Sequence, residues 1–169
     1  MGARPGGERL IMALLRKDET LTASTEVRAS AEQVYAVVSD ITRIPEWSPE
    51  TIRAEWLGPD RFRAWNRRRL GRWRTTANVV EASPGQRFSF IVQAMGGDWT
   101  QWTYLIESGA AAKTTRLTET CRMCVPLPFG ALVFERLFLF VWDRRTDLRH
   151  NIEVSVDRIR AIVEKETAP

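Results

Sequence analysis

The chain has 169 residues, 44% of them apolar, and its 25 Lys and Arg residues exceed its 21 Asp and Glu residues by four. This length suits one domain with a hydrophobic core and is too short for two of ordinary size. The apolar content excludes an intrinsically disordered chain, and a net charge of +4 is too small to indicate nucleic acid as a partner.

The N-terminal segment, residues 1–19, is predicted to be a flexible tail. Residues 1–11 are rich in Gly and Arg and show no apolar periodicity. The apolar stretch Leu10–Leu15 is very short and no small-residue cleavage site follows it, so it does not predict a signal peptide. We therefore expect a single domain over residues 20–166 in a cytoplasmic protein.

A strand, a helix and a short helical turn come next. Thr25, Val27 and Ala29 alternate with charged residues, which is typical of a half-buried strand. Ser30 and Gln33 form the pattern of a capping box and predict the start of a helix. A short helical turn begins at Asp40 and ends before Pro45 and Pro49. Trp47, between these two prolines, is predicted to lie beneath the sheet.

Six more strands are predicted between residues 52 and 121, because apolar and polar residues alternate in each run. Four groups of turn residues separate runs, namely Gly58-Pro59-Asp60, Leu70-Gly71, Ser83-Pro84-Gly85 and Gly96-Gly97. Short turns of this kind join neighbouring antiparallel strands. The residues predicted to share the inward face are Phe62, Ala64, Asn66, Trp73, Thr75, Ala77, Phe88, Phe90, Trp102, Tyr104, Leu117 and Glu119.

A long amphipathic helix is predicted from about Val141 to Glu166. Its apolar stripe recurs at helical spacing and must face the sheet; the stripe consists of Leu148, Ile152, Val156, Ile159 and Val163. Arg145 falls on the same stripe, where it either binds an anionic group of a ligand or extends to solvent. The order of elements predicts an α+β fold, a curved antiparallel sheet of about seven strands closed by a long C-terminal helix.

An arginine run marks one predicted hairpin. Seven arginines occur from Arg61 to Arg74 inclusive, and no acidic residue occurs between Asp60 and Glu81. One interpretation is a solvated face of the hairpin, since runs of charge are usually exposed. The other is a contact with a phosphate group, an acyl-carrier protein or an anionic membrane surface.

The cysteine and histidine content argues against a metal site. Cys121 and Cys124 form one isolated Cys-x-x-Cys pair, and His150 is the only histidine, so a tetrahedral zinc set cannot be assembled. The pair ends a strand and does not open a helix, which disfavours a thioredoxin-like motif. Ordinary buried thiols are the better interpretation. His150 is predicted to be exposed on the helix, opposite the apolar stripe.

The most apolar segment runs from Val125 to Trp142. It is barely long enough to span a bilayer, and Pro126, Pro128 and Glu135 argue against a transmembrane helix. We favour a loop and helix that cover the cavity or a partner. A contact with a membrane surface is the alternative.

Several sequence runs resemble one known family. The runs are VRASAEQVY (27–35), VSD (38–40), PEWSP (45–49), FRAWNRR (62–68), RWRTT (72–76), VEASPGQRFSF (80–90) and LTET (117–120). They are similar to the polyketide cyclase/dehydratase-like SRPBCC proteins of the START and birch-pollen-allergen superfamily. The resemblance spans roughly residues 20–166. It implies a helix-grip architecture with the long helix across a hydrophobic cavity, and it implies no shared catalytic residue.

A cavity lined by the inward faces follows from the resemblance together with strand alternation; a filled core is the alternative. Apolar and aromatic walls with a few polar groups are typical of small-molecule pockets. The predicted ligand-binding residues are Phe62, Trp73, Thr75, Phe88, Phe90, Trp102, Leu117, Arg145, Leu148 and Ile152.

Glu119 is the predicted catalytic residue, with Tyr104 and Asn66 orienting a carbonyl group. Glu119 shares its face with Leu117 and Cys121, and a buried, unpaired carboxylate is costly, so it must be neutral, paired or hydrogen-bonded. A raised pKa would suit a general acid or base. The alternatives are a structural ion pair between Glu119 and an arginine, and ordinary core polar groups at Tyr104 and Asn66.

Two functions from different classes remain open. The leading hypothesis is a polyketide cyclase/dehydratase-like protein of secondary metabolism, which folds a flexible substrate without a metal or redox cofactor and gains most of its rate from proximity. The competing hypothesis is a non-catalytic carrier of a lipid or metabolite. The expected partner is a hydrophobic small molecule or polyketide-type substrate; nucleic acid is not expected, and a homodimer is left open.

Overall fold

Seven strands and a long C-terminal helix make up the fold. The computed structural model of the chain describes residues 15–94, 96–126, 129–134, 137–138 and 143–168. The strands are β1 (Thr20–Val27), β2 (Thr51–Trp56), β3 (Arg61–Arg68), β4 (Gly71–Ser83), β5 (Arg87–Ala94), β6 (Gly97–Ser108) and β7 (Thr115–Met123). The helices are α1 (Ala31–Ser39), α2 (Ile44–Trp47), α3 (Phe129–Phe134) and α4 (Arg144–Glu166), with a 3-10 turn at Ile41–Arg43.

The strands form one antiparallel sheet in the order β1-β7-β6-β5-β4-β3-β2. Register shifts interrupt the β2–β3, β4–β5 and β5–β6 pairings. Irregularities of this kind bend a strand and increase its twist, so the sheet can curl around a cavity. The predicted α+β helix-grip architecture is confirmed.

The capping box predicted for α1 is present. The Ser30 hydroxyl accepts a hydrogen bond from the backbone N–H of Gln33 at 3.3 Å, and the Gln33 side chain accepts one from the Ser30 N–H at 2.9 Å. The buried face of this helix consists of Val34, Val37 and Val38. The short α2 that follows buries Trp47 beneath the sheet, as predicted.

Helix α4 lies with its apolar stripe against the sheet. All five predicted stripe residues are buried, and His150 is exposed. Asp143 caps the helix by accepting hydrogen bonds from the backbone N–H groups of Arg145 and Thr146. The predicted start near Val141 lies outside the described residues, and the described helix begins at Arg144.

The core is divided into two packed clusters. The larger joins α1, α2, all seven strands and the C-terminal half of α4. The smaller consists of Leu15, Leu21, Cys121, Met123, Leu148 and Ile152. Of the predicted tail, residues 1–14 lie outside the described residues; Leu15 is buried in the smaller cluster, and β1 begins at Thr20.

Only part of the apolar segment between Val125 and Trp142 lies within the described residues. In that part Val133, Leu137 and Phe138 are exposed, and the backbone N–H of Leu70 donates a hydrogen bond to the Phe138 carbonyl. No helix of the described residues has both the length and the apolarity to cross a membrane.

Candidate functional site

A cavity of about 650 Å³ lies between the sheet and the first turns of α4. Its wall includes Trp47 and Phe90 from the larger core cluster and Leu15 and Leu148 from the smaller one. The cavity therefore borders both clusters, and Trp102 packs against each of them. Its volume and mostly apolar wall are typical of sites for small molecules.

Most of the predicted site residues line this cavity. The ligand-binding residues that do so are Phe62, Trp73, Thr75, Phe90, Trp102 and Leu148, and all three predicted catalytic residues, Glu119, Tyr104 and Asn66, are also in its wall. Apart from Leu148, which lies on α4, these residues are on strands, and alternation identifies their inward face because consecutive side chains of a strand point to opposite sides of the sheet.

Four predicted ligand-binding residues lie elsewhere. Phe88, Leu117 and Ile152 are buried in the packed clusters and are not among the described residues that line the cavity. Arg145 forms an ion pair with Glu19, which precedes β1. This pair lowers the pKa of Glu19 through its hydrogen bond, although burial partly opposes the shift. Arg145 thus ties α4 to the start of the sheet.

A chain of three buried polar groups crosses the cavity wall. The indole N–H of Trp47 donates to the Tyr104 oxygen at 3.1 Å, and the Tyr104 hydroxyl donates to Oε1 of Glu119 at 3.2 Å. Tyr104 and Glu119 are direct neighbours across β6 and β7. An indole nitrogen can only donate, so the Tyr104 proton points to Glu119.

Oε2 of Glu119 is buried and has no hydrogen-bond partner among the described residues. The Ser155 hydroxyl of α4 neighbours this carboxyl group, but its oxygen is likewise buried and outside hydrogen-bond geometry. No described arginine makes an ion pair with Glu119, so the alternative of a structural ion pair is not what the structure contains. Since Tyr104 donates to Oε1, a proton on the carboxyl group resides on Oε2.

Burial raises the pKa of Glu119 to about 8, and the hydroxyls of Ser155 and Tyr104 oppose this rise only in part. Burial, together with the neighbouring Glu119, also raises the pKa of Tyr104 well above its usual value. Both groups are therefore neutral at pH 7. The site holds a carboxylic acid that can donate a proton inside an apolar cavity, an arrangement common at catalytic sites.

We expect Glu119 to make the protein less stable as the pH rises from about 5 to about 8. The unfolded side chain titrates near 4.5 and the folded one near 8, so unfolding releases a proton within this window. The free energy of unfolding should fall by about 3 kcal/mol across it. Denaturant unfolding of Glu119→Gln, which keeps the shape without ionising, should show no such fall.

Glu107→Gln is the matched control, because Glu107 is an exposed residue of the neighbouring strand β6. Its unfolding curves should follow those of the wild type at each pH. If wild type and Glu119→Gln instead vary in parallel between pH 5 and 8, Glu119 is already ionised in the folded protein.

Asn66 lies apart from the acid. It is on β3, three places along the sheet from Tyr104 on β6. Its Oδ1 accepts from the Thr51 hydroxyl at 2.9 Å, and its Nδ2 donates to the Thr75 hydroxyl at 3.4 Å. The structure thus joins Tyr104 and Glu119 directly, and it places Asn66 in a separate polar group of the same cavity.

A charged cluster that the sequence analysis missed closes one end of the cavity. Arg68 of β3 and Arg144 of α4 both bind Glu50 and Asp147, with Arg144 to Glu50 at 2.8 Å and Arg68 to Glu50 at 3.1 Å. Asn151 donates to Glu50 at 3.4 Å. Glu50, Arg144 and Asn151 also line the cavity. The cluster joins the first turns of α4 to the sheet edge formed by β2 and β3.

Neither a metal site nor a disulfide is found in the part of the chain that the structure describes. It contains no group of three or more His, Cys, Asp or Glu residues that could hold a metal ion. Cys121 and Cys124 are free. Cys121 is buried, and burial raises the pKa of its thiol to about 12. Cys121 is therefore an unreactive core thiol, as predicted, whereas Cys124 is only half-buried.

Comparisons with known proteins agree with this geometry. The family model described as polyketide cyclase / dehydrase and lipid transport matches residues 18–158. No match was found among curated proteins.

Three solved structures illustrate the structural likeness. A Polyketide_cyc-like protein, Cgl2372 from Corynebacterium glutamicum, is 29% identical with a TM-score of 0.59, over 91% of this chain and 96% of its own. A START superfamily protein from Mycobacterium smegmatis is 20% identical with a TM-score of 0.60, over 85% of this chain and 98% of its own. The di-domain ARO/CYC BexL from the BE-7585A biosynthetic pathway is 21% identical with a TM-score of 0.60, over 89% of this chain and 48% of its own.

Proposed function

The chain belongs to the polyketide cyclase/dehydrase and lipid transport family, and we propose that it binds a hydrophobic small molecule in the cavity and cyclises or dehydrates it. The observation that carries this proposal is the neutral, buried acid of Glu119 in the wall of an otherwise mostly apolar cavity. A substrate rich in carbonyl groups, such as a polyketide-type chain, offers the acceptor that Oε2 of Glu119 lacks.

The proposed reaction is an intramolecular aldol condensation. An enol carbon of the bound chain attacks a carbonyl carbon of the same chain, and the carbonyl oxygen takes the proton from Oε2 of Glu119. The resulting carboxylate takes the proton of the enol hydroxyl as that group becomes a ketone, which restores the acid. In the dehydration step Glu119 gives its proton to the new hydroxyl, which leaves as water, and the carboxylate so formed takes a proton from the carbon between the ketone and the departing oxygen. The products are a cyclic enone and one water, and Glu119 ends as the acid.

Tyr104 has a positioning role in this scheme. Its hydroxyl donates to Oε1, so it holds the carboxyl group in place and stabilises the transient carboxylate. Trp47 in turn fixes the Tyr104 oxygen. The cavity wall folds the flexible chain and excludes water, and proximity of this kind supplies much of the rate in intramolecular reactions. The scheme needs no metal or redox cofactor.

The alternative function is carriage of a lipid or metabolite without chemistry. It is favoured by the scarcity of polar groups in the wall and by the structural role that the Trp47–Tyr104–Glu119 chain could fill without a substrate. Both functions require a ligand in the cavity, and only the first requires the Glu119 proton. The free thiols Cys121 and Cys124 support a reducing cytoplasm as the location in either case.

Ligand binding itself is tested by a substitution that fills the cavity. Phe90→Trp should weaken binding of a hydrophobic fluorescent probe by roughly tenfold, because the larger ring takes up ligand volume at a well-packed wall. Phe90 lines the cavity and its ring centroid is 5.1 Å from that of Phe62. Energy transfer from Trp73 and Trp102, which also line it, provides the titration signal.

Ile52→Trp is the control, because Ile52 is exposed and this substitution adds a tryptophan outside the cavity. This variant should bind the probe as the wild type does. Saturable binding that Phe90→Trp leaves unchanged would show that the probe binds elsewhere and that the cavity does not take a hydrophobic ligand of this size.

A further inference from the structure

A second cavity, of about 360 Å³, opens on the outer face of the sheet. Its polar wall includes Arg61, Arg63, Arg74, Thr76 and Gln93. We propose that this outer cavity binds the phosphate head of an amphiphile whose apolar body occupies the inner cavity. The inference deepens the proposed function and rests on it, since it names the class of ligand as a hydrophobic chain that ends in a phosphate monoester.

Strand alternation explains why arginines meet at this place. Arg61 and Arg63 point outward from β3, while Phe62 between them points inward to the inner cavity. In the ladder between β3 and β4, Arg63 pairs with Thr76 and Trp65 pairs with Arg74. The outward side chains of two neighbouring strands therefore put three guanidinium groups around one depression.

These guanidinium groups have few acidic partners. Within the described residues Arg61 and Arg74 form no ion pair, and Arg63 reaches only Glu55, at 3.9 Å. Glu55 is held more closely by Arg53, at 2.7 Å. Asp98, which pairs with Gln93 across β5 and β6, accepts a hydrogen bond from the Gln93 side chain at 3.0 Å. Arg63 and Arg74 are diagonal neighbours across β3 and β4, close enough for their like charges to repel unless an anion lies between them.

The inner and outer cavities meet at a corner of the sheet. Arg74, Thr75 and Ala94 line both of them. Strand β4 pairs with β5 from Thr76, opposite Gln93, onward, so Arg74 and Thr75 project beyond the end of that ladder. A ligand can pass this corner with its chain inside the sheet and its head on the outer face.

The number of guanidinium groups indicates the chemistry of the head. A phosphate monoester carries between one and two negative charges at pH 7 and offers three acceptor oxygens. Guanidinium groups bind such oxygens through charge-assisted and often bidentate hydrogen bonds. A single carboxylate would leave at least one of the three arginines without an anionic contact.

The test compares two lipids that differ only in the head. Lysophosphatidic acid and the monoacylglycerol with the same acyl chain are titrated below their critical micelle concentrations, with tryptophan fluorescence as the readout. We expect the wild type to bind the phosphate lipid about tenfold more tightly, and Arg61→Gln/Arg63→Gln to reduce that ratio to about twofold at low salt. Both arginines line the outer cavity only, so monoacylglycerol binding should not change.

Arg149→Gln is the control for loss of charge, since Arg149 is exposed on α4 and lines neither cavity; it should preserve the tenfold ratio. Equal affinities of the wild type for the two lipids would overturn the inference and leave the proposed function standing. Equal weakening of both lipids by the double variant would overturn it as well. If neither lipid binds while the fluorescent probe still binds in the inner cavity, the inference alone fails; if the probe does not bind either, the proposed function fails with it.

Discussion

Glu119→Gln should slow the cyclisation of a polyketide-type substrate by roughly 10²–10⁴-fold, the usual effect of removing a positioned general acid or base. Glutamine preserves the size of the side chain and can accept the hydrogen bond from Tyr104, but it cannot transfer a proton. The substitution removes the ionisable group whose pKa burial raises to about 8. Stability near pH 5 should therefore be almost unchanged.

The assay uses a short poly-β-ketoacyl thioester and follows the loss of one water by mass spectrometry. Wild-type turnover should decline as the pH rises above about 8, where the Glu119 acid is lost, and the residual turnover of Glu119→Gln should not show that decline. Glu107→Gln, at an exposed position of β6, should keep the wild-type rate. Full turnover by a stably folded Glu119→Gln protein would rule out the acid and leave the shape of the cavity as the catalyst.

Much of the fold could be predicted because the signals that specify it are local. Alternation along each strand identifies the inward face, and the helical stripe from Leu148 to Val163 identifies the buried side of α4. Glu119 could be identified in the same way, as an acidic residue on an inward face between Leu117 and Cys121. Chemistry alone then required it to be neutral or partnered.

Position along a curled sheet could not be predicted from alternation. Phe88 and Phe90 share a face of β5, yet Phe90 lines the cavity and Phe88 is packed in the core. Leu117 and Glu119 differ in the same way on β7. Whether an inward side chain reaches the cavity depends on the distance between the sheet and the helices that cover it. A short periodic pattern in the sequence does not indicate that distance.

Partners distant in sequence were also beyond prediction. Tyr104 meets Glu119 because of the register between β6 and β7, which turns and bulges determine. Arg144 and Glu50 are 94 positions apart, and neither belongs to a recognisable motif. Strand alternation places Arg68 on the inward face with Asn66, but it does not indicate that the partner of Arg68 is Asp147 on α4.

Glu50→Gln should destabilise the protein by about 4 kcal/mol, because removing one member of a buried cluster of charges leaves the remaining charges unbalanced. The side chains of Glu50 and Asp147 are each 14% exposed, and that of Arg144 is 13% exposed. With Glu50 neutral, Arg68 and Arg144 would lose one of the two carboxylates that both of them bind in this cluster. Since this cluster joins α4 to the edge of the sheet, its loss should weaken the closing helix first.

The pH dependence distinguishes this effect from simple loss of packing. Burial favours the neutral form of Glu50, but Arg144 and Arg68 outweigh it and lower its pKa below 4.5. The stabilisation by Glu50 is therefore present above pH 4.5 and is lost as the pH falls through the pKa of Glu50 in the folded protein. This pH dependence is opposite in sign to that of Glu119 and occurs in a separate pH window. In urea unfolding, Glu50→Gln should not lose stability as the pH falls below 4.5, but it should still lose stability between pH 5 and 8 because Glu119 is unchanged.

Glu81→Gln is the control, because it breaks an exposed ion pair with Arg87 and should cost under about 1 kcal/mol. An equally small loss for Glu50→Gln would mean that the cluster does not hold α4 to the sheet.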